Sequence, residues 1–141
     1  MSASSAEFSL VQKVLFKHCD PAGIVFYPRY FEMINDTVEA FFEEFLHYSY
    51  REVIIGNGAP TAQISATFSA PSRLGDMLNI GLKLTALGNS SMNLAFETRC
   101  NGELRFSAQS VLVYIDSNGK PTQWPDRVRQ KLSPQLSGEK K

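Results

Sequence analysis

The stretch HCDPAGIVFYPRYF, His18 to Phe31, sets one carboxylate, Asp20, beside a proline, a glycine and a run of aliphatic and aromatic residues, directly ahead of a segment with helical periodicity. A carboxylate so placed can attack an electrophilic carbon or take a proton from water. The N–H groups that open a helix lack intrahelical partners and favour negative charge, so they can hold a developing oxyanion. The plainer reading of the same acid is a turn or capping carboxylate, because Asp ahead of Pro-Ala-Gly favours turns. His18 fits loop orientation or packing at a strand end better than direct acid–base work. Cys19 adjoins it, but neighbours in an extended chain point to opposite sides. The sole other histidine is His47, on the predicted helix, so a Cys–His nucleophile is not supported.

These residues need elements to hold them. Phe8 to Lys17, rich in β-branched and apolar residues, predicts a first strand. Phe31, Ile34, Val38, Phe41 or Phe42, and Phe45 then recur at three- and four-residue steps between acidic and polar residues, the pattern of one long amphipathic helix. Pro28 near its start costs no hydrogen bond there and presets φ. Tyr48 to Ile55 predicts a shorter helix closed by Gly56-Asn57-Gly58. The period then becomes two, giving strands over Thr61 to Phe68, around Leu78 to Leu84, around Met92 to Glu97, and from about Leu104 to Ile115. The links are Pro71 to Asp76, Gly88-Asn89-Ser90, and Asn101-Gly102, the last a strong hairpin signal. Short links predict antiparallel neighbours and hence a four-stranded meander. A short helix follows Pro125, with Val128 and Leu132 one turn apart.

The chain has 141 residues, 43% of them hydrophobic and 20% charged, which predicts a single domain over 1–141 with a sizeable core. Residues 1–7 and 133–141 are polar and aperiodic and are expected to be flexible tails. Fourteen basic residues balance fourteen acidic ones without long runs, which argues against a nucleic-acid or membrane-surface partner and favours a small molecule. No stretch approaches a membrane span and no signal-peptide pattern opens the chain, so a cytoplasmic location is expected. Two cysteines and two histidines offer no metal spacing, and no GxGxxG or Walker sequence is present, so neither a metal nor a cofactor is expected.

The element order predicts an α+β fold, one long helix against an antiparallel sheet of about five strands, compatible with the hotdog arrangement. The segment FKHCDPAGIVFYPRYFEMIND resembles the active-site signature of the 4-hydroxybenzoyl-CoA thioesterase family of hotdog enzymes, (H/D)xDxxGIVxYPxY leading into the central helix. Similarity continues more weakly through GAPTAQISATFSAPSRLGDMLNI, so it spans about Phe16 to Tyr114. The resemblance implies hydrolysis of an acyl-CoA thioester, with Asp20 as the catalytic carboxylate and the backbone N–H near Tyr27 polarising the carbonyl. It also implies active sites formed between two subunits, hence a homodimer or homotetramer. On that reading Gly23 lets the backbone approach the substrate, His18, Phe26 and Tyr30 contribute to substrate binding, and Asn35, Asp36 and Glu39 are candidates for support from the helix. Coenzyme A is then part of the substrate rather than a cofactor.

The match is incomplete at one place. Some family members bind the coenzyme's phosphates with a basic cluster at a turn that here reads LGNSSM, Leu87 to Met92, without Arg or Lys. Arg73, Lys83, Arg99 and Arg105 are candidate substitutes. The alternatives are a non-catalytic acyl-thioester-binding or structural hotdog oligomer, or a hydrolase of acyl-carrier-protein thioesters. Hydration of enoyl thioesters is disfavoured, because its relatives place a His where Val25 stands.

Overall fold

The computed structural model describes residues 8–139; the expectations for residues 1–7, 140 and 141 lie outside the described residues. The elements are β1 (Phe8–Lys13), α1 (Pro28–Glu44), α2 (Tyr50–Val53), β2 (Thr61–Phe68), β3 (Met77–Leu87), β4 (Ser91–Cys100), β5 (Glu103–Val113) and α3 (Asp126–Glu139). The five strands form one antiparallel sheet in the order β1-β3-β4-β5-β2. Its inner face carries the alternate residues Leu78, Ile80, Leu82 and Leu84 of β3 and Met92, Leu94 and Phe96 of β4, all buried. Against that face lies the apolar stripe of α1: Tyr30, Met33, Ile34, Val38, Phe41 and Phe42. This is the hotdog arrangement of the α+β class, and the period-two and period-3.6 patterns meet in one core.

Three local features differ from the sequence reading. β1 stops at Lys13, because the chain closes into a 3-10 turn over Phe16–His18: the His18 N–H donates to the Leu15 carbonyl, and the Leu15 N–H donates to His18 Nδ1 at 2.9 Å. Leu15 and Phe16, read as strand residues, are consequently exposed, Phe16 by 82%. His47 lies beyond the end of α1 rather than on it, with φ of 55°. The Leu46 N–H donates back to the Phe41 carbonyl and the Tyr48 N–H to the Phe42 carbonyl around it, a left-handed helix stop of the kind glycine usually supplies. The short α2 covers only the middle of the predicted Tyr48 to Ile55 helix, whereas α3 extends past the Val128 and Leu132 turn to Glu139.

The predicted meander holds for β3, β4 and β5 but not for β2. Asn101, φ 52°, and Gly102, φ 84°, form the tight hairpin that the sequence signals. β2 does not neighbour β3; it pairs with β5, with Phe68 opposite Phe106 and Ala66 opposite Ala108. The eight residues between Phe68 and Met77 reach roughly 26 Å when extended, ample for the roughly 14 Å across three strand spacings. That crossing also gives the Ser69 and Ala70 N–H groups an acceptor in the Arg105 carbonyl. β2 is left as an edge strand, exposed at seven of its eight residues.

Trp124, 1% exposed, stacks on Tyr114 at 4.7 Å and packs against Phe42 at 6.0 Å, tying the segment before α3 to the far end of α1. No helix among the described residues is long and apolar enough to cross a membrane. The left-handed position at His47 yields a test. A non-glycine residue there costs about 1–2 kcal/mol in the folded chain, and glycine costs roughly 0.5–1 kcal/mol in lost unfolded-state freedom. His47→Gly is expected to raise unfolding stability by about 0.5–1 kcal/mol, read as a higher urea midpoint at unchanged slope.

Candidate active site

The motif residues form a loop that closes on itself before entering α1. The Gly23 N–H donates to the Asp20 carbonyl at 2.9 Å and the Asp20 N–H to the Ile24 carbonyl at 3.0 Å. Within this loop the Asp20 carboxylate accepts the Ala22 N–H through Oδ1 at 2.9 Å, so the turn-capping role is real. Oδ2 of the half-buried Asp20 has no partner among the described residues. Gly23 has φ of 82°, and a Cβ there would meet nothing within 4 Å, so its need is conformational rather than one of space.

Two clamps fix where the loop delivers the chain. The Phe26 N–H donates to the His18 carbonyl and the Val25 N–H to the Ser72 carbonyl, both at 2.9 Å. Beyond them Tyr27 already has helical angles, φ −54° and ψ −33°, and Pro28 begins α1. The Arg29 and Tyr30 N–H groups turn back to the Phe26 and Tyr27 carbonyls, and Pro28 has no N–H. The Tyr27 N–H, directly ahead of Pro28, has no acceptor among the described residues.

An open cleft of about 510 Å³ lies beside it, lined by Val25, Tyr27 and Tyr30 on one side and by Phe68 to Pro71 on the other. Phe68, at the end of β2, stacks on Tyr30 at 5.5 Å and meets Tyr27 at 5.9 Å, giving the cleft an aromatic wall. Of the residues singled out from sequence, Tyr27 and Tyr30 line it. Asp20, Gly23 and His18 belong to the supporting loop, and the half-exposed Phe26 ring packs edge-on against Tyr27 outside the lining. Burial raises the Tyr30 phenol, offset in part by Ser72 and the Arg105 charge. Asn35, Asp36 and Glu39 are exposed on α1.

The Phe68 to Pro71 wall escaped the sequence reading, although a large aromatic at a strand end is a visible signal. So did the role of Arg105. Proposed as a phosphate contact, it is 9% exposed and engaged: Nη1 donates to Asp76 Oδ2 at 2.7 Å, to Ser72 Oγ at 3.1 Å and to the Pro71 carbonyl at 3.2 Å, and Nε donates to Glu103 at 2.8 Å. Arg99 donates to the Gly102 carbonyl and pairs with Glu97. Arg73 is exposed on the turn that faces the loop, its backbone bridged to Ile24.

His18 is buried, and its Nδ1 is occupied by the Leu15 N–H, so protonation there would break the bond that forms the turn. Burial, reinforced by Lys17, holds its pKa below 6.5. The unfolded chain then takes up the proton more readily, so stability is full above 6.5 and declines as pH falls from there through the folded-state value. Urea midpoints are expected to drop as pH is lowered below about 6.5, with the decline flattened in His18→Asn, whose Oδ1 can accept the same N–H.

Solved structures share this architecture. A 1,4-dihydroxy-2-naphthoyl-CoA thioesterase from Synechocystis is similar at 22% identity and a TM-score of 0.83, over 89% of this chain and 95% of the other. A gentisyl-coenzyme A thioesterase is similar at 26% identity and a TM-score of 0.81, over 88% and 98%. A Staphylococcus aureus protein in complex with CoA is similar at 16% identity and a TM-score of 0.86, over 92% and 84%. A search of curated proteins finds no match. Residues 14–132, from just after β1 into α3, match the family model of the thioesterase-like superfamily, and the chain belongs to that superfamily.

Proposed function

We propose that the protein hydrolyses an acyl-CoA thioester to a carboxylic acid and free coenzyme A, with an aromatic acyl group as the favoured class. The observation that carries this reading is the Tyr27 N–H, unpartnered among the described residues, at the mouth of an aromatic cleft and seven residues after a carboxylate that uses one oxygen, Oδ1, to hold its turn. The thioester carbonyl oxygen accepts the Tyr27 N–H, where the positive end of α1 stabilises the oxyanion. The Asp20 carboxylate supplies the second element. It attacks the carbonyl carbon, expelling the thiolate and leaving an anhydride that water opens, or it takes a proton from the water that attacks. Either route adds one water across the C–S bond and needs no histidine, because a thiolate leaves readily.

The aromatic preference draws on Tyr27, Tyr30 and Phe68 and on the substrates named for the two thioesterases similar in fold. Coenzyme A as the carrier draws on the CoA complex of the similar staphylococcal protein. We place a second copy of the chain along β2, since that strand's outer edge is unpaired among the described residues and ends at Phe68, where added backbone would wall the open side of the cleft. The specific 4-hydroxybenzoyl substrate is one member of the panel to be tested.

Asp20→Asn separates the two roles of the acid, because Asn Oδ1 can still accept the Ala22 N–H. With benzoyl-, 4-hydroxybenzoyl-, branched and straight-chain acyl-CoAs, free-thiol release is expected to fall by about 10²–10⁴-fold in Asp20→Asn at unchanged melting temperature. Retained turnover would move the chemistry off Asp20. Tight binding of a non-hydrolysable acyl-CoA without turnover in either protein would favour a binding module. Ile64→Asp, placing a charge at the β2 edge, is expected to shift the sedimenting species toward monomer and to lower activity with it.

A further inference from the structure

The turn between β2 and β3 is built around one guanidinium. Arg105 rises from β5 to take the Pro71 carbonyl, the Ser72 hydroxyl and the Asp76 carboxylate, all on Nη1, while Nε holds Glu103. Asp76 in turn accepts the Arg73 N–H at 2.9 Å through the oxygen that meets Arg105, so both ends of the 71–76 turn close on the same ion pair. The partnership keeps the Asp76 carboxyl below the ordinary carboxylate range, chiefly through the hydrogen bond from Arg105. Ser72 is fully buried, and its carbonyl takes the Val25 N–H; the Leu74 N–H reaches the Gly23 carbonyl at 3.3 Å, so Arg73 lies opposite Ile24. The motif loop is thus held to the turn by two hydrogen bonds, at Val25 and Gly23, that flank the facing pair Ile24 and Arg73.

We propose that Arg105 is a positioning residue for the hydrolysis. Its pairing with Asp76 locks the 71–76 turn, and the turn sets the separation between the Asp20 carboxylate on one side of Val25 and the Tyr27 N–H on the other. The inference rests on the thioesterase reading for its catalytic consequence, but the mechanical link stands on the geometry alone. Arg105 touches no reacting atom. Nη1 alone meets Pro71, Ser72 and Asp76 while Nε holds Glu103, so a lysine ammonium, a single nitrogen on a flexible stem, can replace part of the Nη1 set but not the Glu103 contact at the same time.

The test combines kinetics with site-resolved amide hydrogen exchange in Arg105→Met, Arg105→Lys and Asp76→Asn. Both Arg105→Met and Asp76→Asn are expected to lower kcat by about 10- to 100-fold. KM is expected to change by less than about threefold, since the cleft wall is intact. Arg105→Lys is expected to fall between them and the wild type, and Arg105→Met combined with Asp76→Asn to cost little more than either alone. Exchange at the Val25 and Leu74 amides is expected to accelerate while amides in the middle of α1 keep wild-type rates, a pattern that general destabilisation does not give. If Arg105→Met does not fold, Asp76→Asn, which keeps the shape of a partly exposed side chain, carries the same comparison. Folded variants with wild-type kcat, or with unchanged exchange at Val25 and Leu74, would overturn the proposal. A wild-type protein without turnover would remove the hydrolase reading, and the exchange comparison would still decide whether Arg105 holds the loop.

Discussion

The 2.9 Å hydrogen bond from the Val25 N–H to the Ser72 carbonyl joins a loop that precedes the central helix to a turn almost fifty residues later. Neither segment belongs to the sheet ladder, so without that bond and its neighbours each would answer only to local forces. With them, the start of α1 is fixed against both β5, through Arg105, and the end of β2, through Phe68. The core supplies the reference frame. The stripe from Tyr30 to Phe42 sets the rotation of α1 on the sheet, and the rotation decides which end groups of the helix open onto the cleft.

The loop spends its hydrogen-bonding capacity in an uneven way. Most N–H groups from Asp20 to Tyr30 are satisfied within a few residues or across to Ser72, while those of Ile24 and Tyr27 have no acceptor among the described residues. An unpaired N–H at a helix entry is tolerable where solvent reaches it, and Tyr27 is 58% exposed. The same accessibility is what a reactant oxygen requires. Asp20 shows a matching division, one oxygen engaged in holding the turn and the other without a partner among the described residues.

What the sequence discloses follows the range of the forces involved. α1, the Asn101-Gly102 hairpin and the alternation in β3 and β4 depend on neighbours three, four or two residues away, and they are legible in the order of residue types. The turn at Phe16–His18 is local too, but it rests on a side-chain acceptor, His18 Nδ1, that apolar strand-like composition conceals. The place of β2 beside β5 is a choice among sheet positions that short-link reasoning decides wrongly, because eight linking residues are enough to cross two strands. Arg105 looks like any surface cation in one dimension; only folding brings it within 2.7 Å of Asp76, twenty-nine residues away. Of the candidate site, the motif loop and helix entry are legible in the residue types; Phe68 is visible as an aromatic at a strand end, but its place opposite Tyr27 and Tyr30 depends on where β2 lies in the sheet.

Trp124 is the single tryptophan of the chain, sealed beneath Tyr114 and against Phe42. Phe42 lies twelve residues along α1 from Tyr30, or about 18 Å by helical rise. Intrinsic fluorescence therefore observes the opposite end of the molecule from the cleft. Its emission maximum monitors whether the C-terminal helix is seated and the core intact, while a ligand entering between Tyr27 and Phe68 passes largely unseen by that indole.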